Sequence, residues 1–255
     1  MSRITAGAIA RRKNAEQPFP MLTAYDAASG RILEAAGLDV ILVGDSLGNV
    51  VLGYESTTSV TLEDMIRHGG AVVRGTKSVH VIVDMPFGTY EASDQRAIES
   101  AVAIIRSAGC QSVKLEGGAT MAPRIAAIVA AGIPVMAHIG VLPQTAALAS
   151  GFKMRRDVET LIEEALAVER AGAFAVVLEA IDHEAARAIT ARIAIPTIGI
   201  GAGPHCDGQV LVLYDAIGMF PNPPSFAKRF GDVDREIERA ARNYIEHVRA
   251  KRFPA

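Results

Sequence analysis

VHVIVDMPFGTYEASDQRAIESAVAIIRSAGCQSVKLE, residues 79–116, contains two short strand-like runs separated by one long amphipathic segment. The runs lie at 79–83 and 112–115, and the segment between them, 93–108, ends at Gly109. A glycine directly after a helical pattern is typical of a helix C-terminus. Two strands joined by a helix lie parallel in one sheet. The stretch therefore predicts a strand–helix–strand unit.

The same unit repeats along the chain. Several of the strand-like runs are continuously apolar, which is typical of parallel strands covered on both faces. Four of the helical segments end at a glycine just before a strand, and one begins with a capping box at 61–64. We predict strands at 20–25, 40–43, 79–83, 112–115, 133–137, 174–178, 195–200 and 210–214, and helices at 26–36, 61–74, 93–108, 121–131, 157–171 and 184–192, with a terminal helix or two within 225–248.

Eight strands alternating with helices predict an α/β fold, a (β/α)8 TIM barrel that forms a single domain over residues 1–255 and carries the C-terminal helices. The connection between the last two strands is short, about nine residues at 201–209, whereas a parallel crossover usually takes about a dozen. A single helical turn could serve there. An open doubly wound sheet is the alternative architecture.

The composition and charge of the chain argue against a nucleic-acid-binding, a membrane-spanning or a secreted protein. The chain has 255 residues, a formal net charge of -2 and only two cysteines. No basic stripe predicts nucleic-acid binding, and no apolar run reaches the roughly 18 residues of a membrane span. The N-terminus lacks the apolar core of a secretory signal. Because Cys110 and Cys206 have neither metal-site nor disulfide spacing, we expect a cytoplasmic protein.

Charged and titratable residues follow six of the predicted strands. In a barrel of this type the chemistry lies at the carboxyl ends of the strands. Three carboxylates converging on one mouth repel one another unless a cation holds them, and hard oxygen ligands suit Mg²⁺. We therefore predict a magnesium site. The strand-end residues are Asp45 and Ser46, Asp84, Lys114 and Glu116, His138, Glu179 and Asp215.

Some of these residues have simpler interpretations. For Asp215 we favour a helix cap or a loop hydrogen bond. Lys114 needs either a neighbouring carboxylate or an anionic substrate. His138 alone would be ambiguous between a core histidine and a ligand, but the other strand-end residues favour a role in substrate binding. The glycine-rich turn GIGAG at 199–203 lacks the spacing of a dinucleotide fingerprint, so we favour a tight turn.

Seven short motifs resemble the ketopantoate hydroxymethyltransferase family. They occur in the family's order and extend from about residue 3 to the C-terminal helices. The motifs are MLTAYD (21–26), VGDSLG (43–48), GYEST (53–57), DMPFG (84–88), VKLEGG (113–118), IGIGAG (198–203) and DGQVLV (207–212).

The resemblance implies an enzyme with Mg²⁺, usually a homodecamer, that transfers a hydroxymethyl group from 5,10-methylenetetrahydrofolate to the 2-oxo acid 3-methyl-2-oxobutanoate. It implies a product, ketopantoate, on the route to pantothenate and coenzyme A, formed through a Mg-stabilised enolate. By motif position, the metal is surrounded by Asp45, Asp84 and Glu116, the first two being the direct ligands. The oxo acid is bound by Asp45, Ser46, Asp84, Lys114 and His138, and Glu179 is the general base.

The chain departs from the family pattern at Glu55, where Asp is usual, and at Ser59, where Pro is usual. The segment GFKMRR at 151–156 is shorter than the family's and replaces its Val-Gln-Gly stretch. A divergent paralogue therefore remains one alternative. Another is a C–C bond enzyme of the phosphoenolpyruvate mutase and isocitrate lyase type, although the chain lacks the Lys-Lys-Cys-Gly-His loop of those lyases. A metabolite sensor is a third, but Glu179 argues against it, because binding alone needs no base.

Overall fold

Eight parallel strands form a closed barrel in sequence order. A computed structural model describes residues 2–149 and 151–254 of the chain. The closed barrel confirms the predicted fold class and excludes the open doubly wound sheet. The strands are β1 (Phe19–Thr23), β2 (Val40–Val43), β3 (His80–Asp84), β4 (Ser112–Glu116), β5 (Val135–Gly140), β6 (Ala175–Glu179), β7 (Thr197–Ile200) and β8 (Gly208–Leu211).

Helices connect successive strands of the barrel. Asp26 and Thr61 begin two of them through capping boxes, and Gly109 ends another in the left-handed conformation, at φ 75°. The described helices are α1 (Ala6–Ala10), α2 (Ala27–Ala35), α3 (Leu47–Val50), α4 (Leu62–Gly75), α5 (Asp94–Ala108), α6 (Ala122–Ala130), α7 (Pro143–Ala149), α8 (Val158–Arg170), α9 (His183–Arg192), α10 (Leu213–Ala216) and α11 (Val233–Arg249).

The predicted eighth strand, 210–214, was placed too late in the chain. In the structure β8 spans Gly208–Leu211, because its pairing with β7 joins Ile198 to Gly208 and Gly199 to Gln209. The preceding connection, 201–207, consists of turns and bends rather than a helical turn. Asp215 therefore lies in the short helix α10 and not at a strand end.

The barrel interior is filled by aliphatic and aromatic side chains from the strands. Helix α1 adds Ile9, which is fully buried, to the same cluster. The chain around α1 is bound to the amino ends of two strands, since Ile4 N donates to Ser78 O and Asn14 N donates to Asp207 Oδ1. The N-terminal segment thus covers the end of the barrel opposite the strand-end carboxylates. The cluster contains Ile9, Phe19, Met21, Val40, Leu42, Ile82, Met136, Ala175, Val177, Ile198 and Val210.

The chain divides into two compact units, Met1–Val210 and Leu211–Ala255. The second unit contains α10 and α11. Helix α11 has 17 residues, of which none is buried. That all 255 residues form a single domain stays a prediction. Within the described part of the chain, every helix is too short or too polar to cross a lipid bilayer.

Candidate active site

Five of the predicted site residues lie together, in or just after the carboxyl-terminal halves of neighbouring strands. The parallel register places Asp84 beside Lys114, Glu116 beside His138, and Gly140 beside Glu179. None of the charged groups on β3, β4 and β5 is more than 5% exposed. Such deep burial of charge is tolerated only when the groups are paired or hold a ligand. The buried set is Asp45, Asp84, Lys114, Glu116 and His138.

Lys114 and Asp84 form the central ion pair of the site. Lys114 Nζ lies 2.9 Å from Asp84 Oδ1, and the other oxygen of Asp84, Oδ2, accepts a hydrogen bond of 3.1 Å from Asp45 N. Burial and the neighbouring carboxylates of Asp84 and Glu116 raise the pKa of Asp45 well above its usual range. One lysine therefore does not neutralise the carboxylates around it, and the site favours a further cation.

His138 lies between two glutamates. Its Nδ1 is 3.6 Å from Glu116 Oε1, and its Nε2 is 3.3 Å from Glu179 Oε2. Burial and the nearby Lys114 lower the pKa of the imidazole, but the two glutamates outweigh them and raise it to about 9. The raised pKa favours the protonated imidazole, and Lys114 Nζ lies 3.4 Å from the same Nδ1. His138 lies within β5 rather than at the strand end.

The backbone of Glu179, the last residue of β6, is held in place by the neighbouring strand β5. Val141 N donates to Glu179 O over 2.9 Å, and Gly140 permits this approach because a Cβ there would lie 2.2 Å from the same oxygen. The next residue, Ala180, has φ 47°, an uncommon conformation for a residue with a side chain. The Glu179 side chain is 17% exposed, so a substrate that enters the mouth of the barrel can reach it.

A chain of hydroxyl groups places Ser46. Thr23 Oγ1 donates to Tyr25 Oη over 2.8 Å, and Tyr25 Oη lies 2.9 Å from Ser46 Oγ. Tyr25 belongs to the motif MLTAYD at 21–26 but was not predicted as a site residue. The signal available in the sequence was its position as the last residue of the predicted strand 20–25, at the end where the other site residues lie.

Sequence reasoning also missed Gln144 and Tyr90, which are both only 2% exposed. Gln144 Nε2 donates to Asp45 Oδ2 over 2.8 Å, and Gln144 N donates to Glu116 Oε2 over 3.0 Å. Tyr90 Oη donates to Gln144 Oε1. Neither residue ends a strand, so the search for titratable strand ends could not find them. Asp215 lies in the second unit, where burial raises the pKa of its carboxyl to about 6.

The carboxylates of the site are the candidate ligands for the predicted Mg²⁺. Across residues 2–149 and 151–254, no three His, Cys, Asp or Glu side chains are arranged to hold a metal ion. Asp45 and Asp84 nevertheless adjoin each other, and carboxylate oxygens are the donors that Mg²⁺ prefers. Mg²⁺ often takes only one or two protein carboxylates and completes its shell with substrate and water. The two adjoining carboxylates are therefore a donor set of the kind that fits Mg²⁺, and Asp45, Asp84 and Glu116 as metal ligands all stay predictions.

The sequence pattern of the ketopantoate hydroxymethyltransferase family matches residues 3–255. The chain belongs to this family. It is 46% identical to the 3-methyl-2-oxobutanoate hydroxymethyltransferase of Syntrophomonas wolfei, over 100% of this chain and 94% of that protein. It is 48% identical to the enzyme of the same name from Carboxydothermus hydrogenoformans, again over 100% and 94%. Membership confirms the resemblance carried by the seven motifs.

The family match favours the hydroxymethyltransferases over the phosphoenolpyruvate mutase and isocitrate lyase class. A solved structure of 2,3-dimethylmalate lyase, a member of the phosphoenolpyruvate mutase and isocitrate lyase superfamily, resembles the chain with a TM-score of 0.63. The alignment covers 99% of this chain and 90% of the lyase, at 20% sequence identity. Likeness at that identity shows a shared fold and leaves the reaction to the site residues.

None of the departures from the family pattern is a residue of the buried cluster. Glu55 and Ser59 are exposed. Arg155 directs its guanidinium to two carboxylates outside the cluster, since its Nη1 lies 2.9 Å from Glu164 Oε2 and its Nη2 lies 2.8 Å from Asp157 Oδ2. The Arg155 guanidinium of the segment at 151–156 is therefore paired with carboxylates outside the buried cluster.

Proposed function

We propose that the chain transfers a hydroxymethyl group from 5,10-methylenetetrahydrofolate to 3-methyl-2-oxobutanoate, forming 2-dehydropantoate (ketopantoate) for pantothenate and coenzyme A biosynthesis in the cytoplasm. The observation that carries the proposal is the placement of Glu179, partly exposed, beside a buried cluster of carboxylates and cationic groups. An anionic 2-oxo acid and a divalent cation together match that charge pattern.

In this proposal Asp45 and Asp84 would hold the Mg²⁺. Four carboxylates, Asp45, Asp84, Glu116 and Glu179, face only two cationic groups, Lys114 and His138. The excess of negative charge supports a cation at this position. When bound, Mg²⁺ supplies a Lewis acid that polarises a keto group.

The oxo acid would be held by three polar side chains. Lys114 and His138 offer positive charge to its carboxylate, and Ser46 offers a hydroxyl group at the end of the Thr23–Tyr25 chain. Because Lys114 is already paired with Asp84, its ammonium group is held in place before the substrate arrives. Such preorganisation reduces the entropy lost on binding.

Glu179 would act as the general base. Its carboxylate takes the proton from C3 of the oxo acid, and the electrons of the broken C–H bond form the enolate. Water supplies the oxygen of the hydroxymethyl group: both C–N bonds of the one-carbon unit break, the two protons of the water go to the folate nitrogens, and tetrahydrofolate leaves. The enolate carbon forms its bond to the released carbon at the formaldehyde level, and the new alkoxide takes the proton held by Glu179. His138, 3.3 Å from Glu179 Oε2, orients the carboxylate through its charge. General-base catalysis of this kind contributes about 10² to 10⁴ in rate.

Deuterium exchange at C3 tests the proposal in two steps. With Mg²⁺ and no folate, 3-methyl-2-oxobutanoate should exchange its C3 proton for solvent deuterium, as observed by proton NMR. With 5,10-methylenetetrahydrofolate added, ketopantoate should form. Exchange without transfer would support a divergent paralogue with another electrophile. Absence of exchange with this and other 2-oxo acids would contradict the enolate mechanism.

We also propose that the chain forms a homo-oligomer, a decamer. Helix α11 supports it, because four large apolar side chains on this helix remain between 43% and 58% exposed: Ile237, Tyr244, Ile245 and Val248. Their spacing places them on one face of a helix, which is the pattern of a helix packed against a partner. Native mass spectrometry measures the subunit number. A monomer at micromolar concentration would contradict the proposal.

A further inference from the structure

Gln144, in the segment after β5, connects that segment to three other parts of the chain at the mouth of the barrel. It lies at the start of α7, and its side chain and backbone together make four hydrogen bonds. Gln144 Nε2 donates to Asp45 Oδ2 over 2.8 Å and to Met85 O over 3.0 Å, and its backbone N donates to Glu116 Oε2 over 3.0 Å. Its Oε1 accepts from Tyr90 Oη. The contacts reach the segments that follow β2 and β3 and the last residue of β4.

These contacts leave the amide of Gln144 only one orientation. A backbone carbonyl only accepts hydrogen bonds, so the atom facing Met85 O must be the amide nitrogen. The same nitrogen then presents its second proton to Asp45. Tyr90 Oη donates to the amide oxygen and accepts from Glu116 N over 3.3 Å, which completes a closed network. Because Gln144 and Tyr90 are buried, the network is protected from exchange with water.

The network acts on two of the carboxylates that lie at the proposed metal. One oxygen of Asp45 is occupied by Gln144 Nε2, and one oxygen of Glu116 is occupied by Gln144 N. Gln144 thereby fixes one oxygen of each carboxylate, and the other oxygen of Glu116, Oε1, lies 3.6 Å from His138 Nδ1. Neutral donors also stabilise negative charge without adding a cation that would compete with a metal.

We infer that Gln144 is a positioning residue that orients Asp45 and Glu116 for the divalent cation and so determines the affinity of the site for it. The inference rests on the proposed function. Hydrogen-bond partners of metal ligands are typically worth about 10- to 100-fold in metal affinity or activity. Gln144 reaches the carboxylates through one side chain and one backbone N–H group, so a side-chain substitution tests the Asp45 contact and leaves the Glu116 contact in place.

The test compares Gln144→Met with Tyr90→Phe. Methionine keeps the length of the side chain but cannot donate to Asp45 or Met85. Tyr90→Phe removes the bonds of Tyr90 Oη to the amide oxygen and to Glu116 N, and it leaves the donation to Asp45 intact. Free Mn²⁺ is titrated by electron paramagnetic resonance with the whole enzyme and 3-methyl-2-oxobutanoate, and the thermal midpoint of each variant is recorded. Gln144→Asn, whose amide is one methylene group too short to span Asp45 and Met85, replaces Gln144→Met if that variant does not fold.

We expect Gln144→Met to weaken Mn²⁺ binding by about 10- to 100-fold and Tyr90→Phe to weaken it much less, although both lower the thermal midpoint. At saturating Mg²⁺, C3 exchange by Gln144→Met should return to within about threefold of the parent rate, because the residue acts on metal affinity and not on proton transfer. Mn²⁺ affinity within about twofold of the parent, or equal losses in both variants, would overturn the inference. Failure of the parent itself to bind Mn²⁺ with the oxo acid would overturn the proposed metal site together with it.

Discussion

Lys114 Nζ lies 2.9 Å from Asp84 Oδ1, and the two side chains are only 5% and 4% exposed. Removing one partner of such a buried pair leaves an uncompensated charge, which typically costs about 3 to 5 kcal/mol. Burial lowers the pKa of Lys114, but the carboxylates of Asp84, Glu116 and Asp45 outweigh burial and raise it. The ion pair is therefore part of the stability of the barrel as well as part of the proposed site.

Asp84→Ala should lose Mg²⁺-dependent binding of the oxo acid and also lower the free energy of unfolding. Adding Lys114→Met should recover part of the stability, since it removes the unpaired charge, but should not recover binding. Isothermal calorimetry and urea denaturation measure the two effects separately. Normal metal and oxo-acid binding by Asp84→Ala would show that the site is misplaced.

Glu179→Gln should keep the fold and the affinity for the oxo acid while slowing both C3 exchange and hydroxymethyl transfer by about 10² to 10⁴. Glu184→Gln, an exposed glutamate in α9, is the matched control and should retain the parent rate. If Glu179 only pairs with His138, the variant would instead lose substrate affinity and keep the chemical step. Single-turnover rates at saturating substrate distinguish the two outcomes.

Arg155 connects the segment at 151–156 to the turn after Glu179. Its backbone N donates to Ala180 O over 3.0 Å, and its O accepts from Asp182 N over 2.9 Å, while its side chain pairs with Asp157 and Glu164. Arg155→Ala should lower the stability by about 1 kcal/mol, since the pairs are partly exposed. The amides of residues 155 and 182 should exchange with solvent faster. Arg156→Ala, at an exposed neighbour, should change neither, and equal effects of both variants would argue against this role.

The strands and the strand-end carboxylates could be predicted because both depend on local patterns. A continuously apolar run such as 40–43 matches β2 at both ends. Asp84 and Glu116 end their strands as expected, and parallel strands bring their ends to one edge without further information. The eighth strand was misplaced because the apolar spacing of 210–214 suits a strand as well as the short helix α10.

Gln144 could not be predicted because its partners are distant in the chain. Its contact with Asp45 joins residues separated by 99 positions, and the one with Met85 joins residues separated by 59. No periodicity or capping pattern encodes such a contact. Helix α1, which covers the end of the barrel opposite the strand-end carboxylates, could not be predicted either. Its five residues are too few for an amphipathic pattern to be recognised.

His80 joins the N-terminal segment to the barrel, on the side opposite the carboxylate cluster. Its Nδ1 lies 2.9 Å from Ile4 O, and because a carbonyl only accepts, Nδ1 must carry the proton. Its Nε2 lies 2.8 Å from Ser112 Oγ and accepts from that hydroxyl group. Both ring nitrogens are thus satisfied in the neutral imidazole. Burial, assisted by the nearby Arg3, lowers the pKa of His80 from 6.5 to about 4.

This lowered pKa gives the stability a defined pH dependence. Above about pH 6.5 both the folded and the unfolded chain hold His80 neutral, so the residue contributes no slope. Between pH 6.5 and 4 the unfolded chain binds a proton that the folded chain does not, so the free energy of unfolding falls as the pH falls. One pKa unit corresponds to about 1.4 kcal/mol, and the full loss is therefore roughly 3 kcal/mol, complete below about pH 4.

Urea denaturation from pH 7.5 to 4, compared between the parent and His80→Gln, isolates this contribution from that of the carboxylates. The variant should be less stable than the parent at pH 7.5, because it loses a buried ring with two hydrogen bonds, and the difference should shrink toward pH 4. His205→Gln, at an exposed histidine, should keep the parent's slope throughout. A stability difference between the parent and His80→Gln that stays constant over this range would mean that the folded protein binds a proton at His80 as readily as the unfolded chain. The neutral imidazole between Ile4 and Ser112 would then be the wrong description of the N-terminal contact.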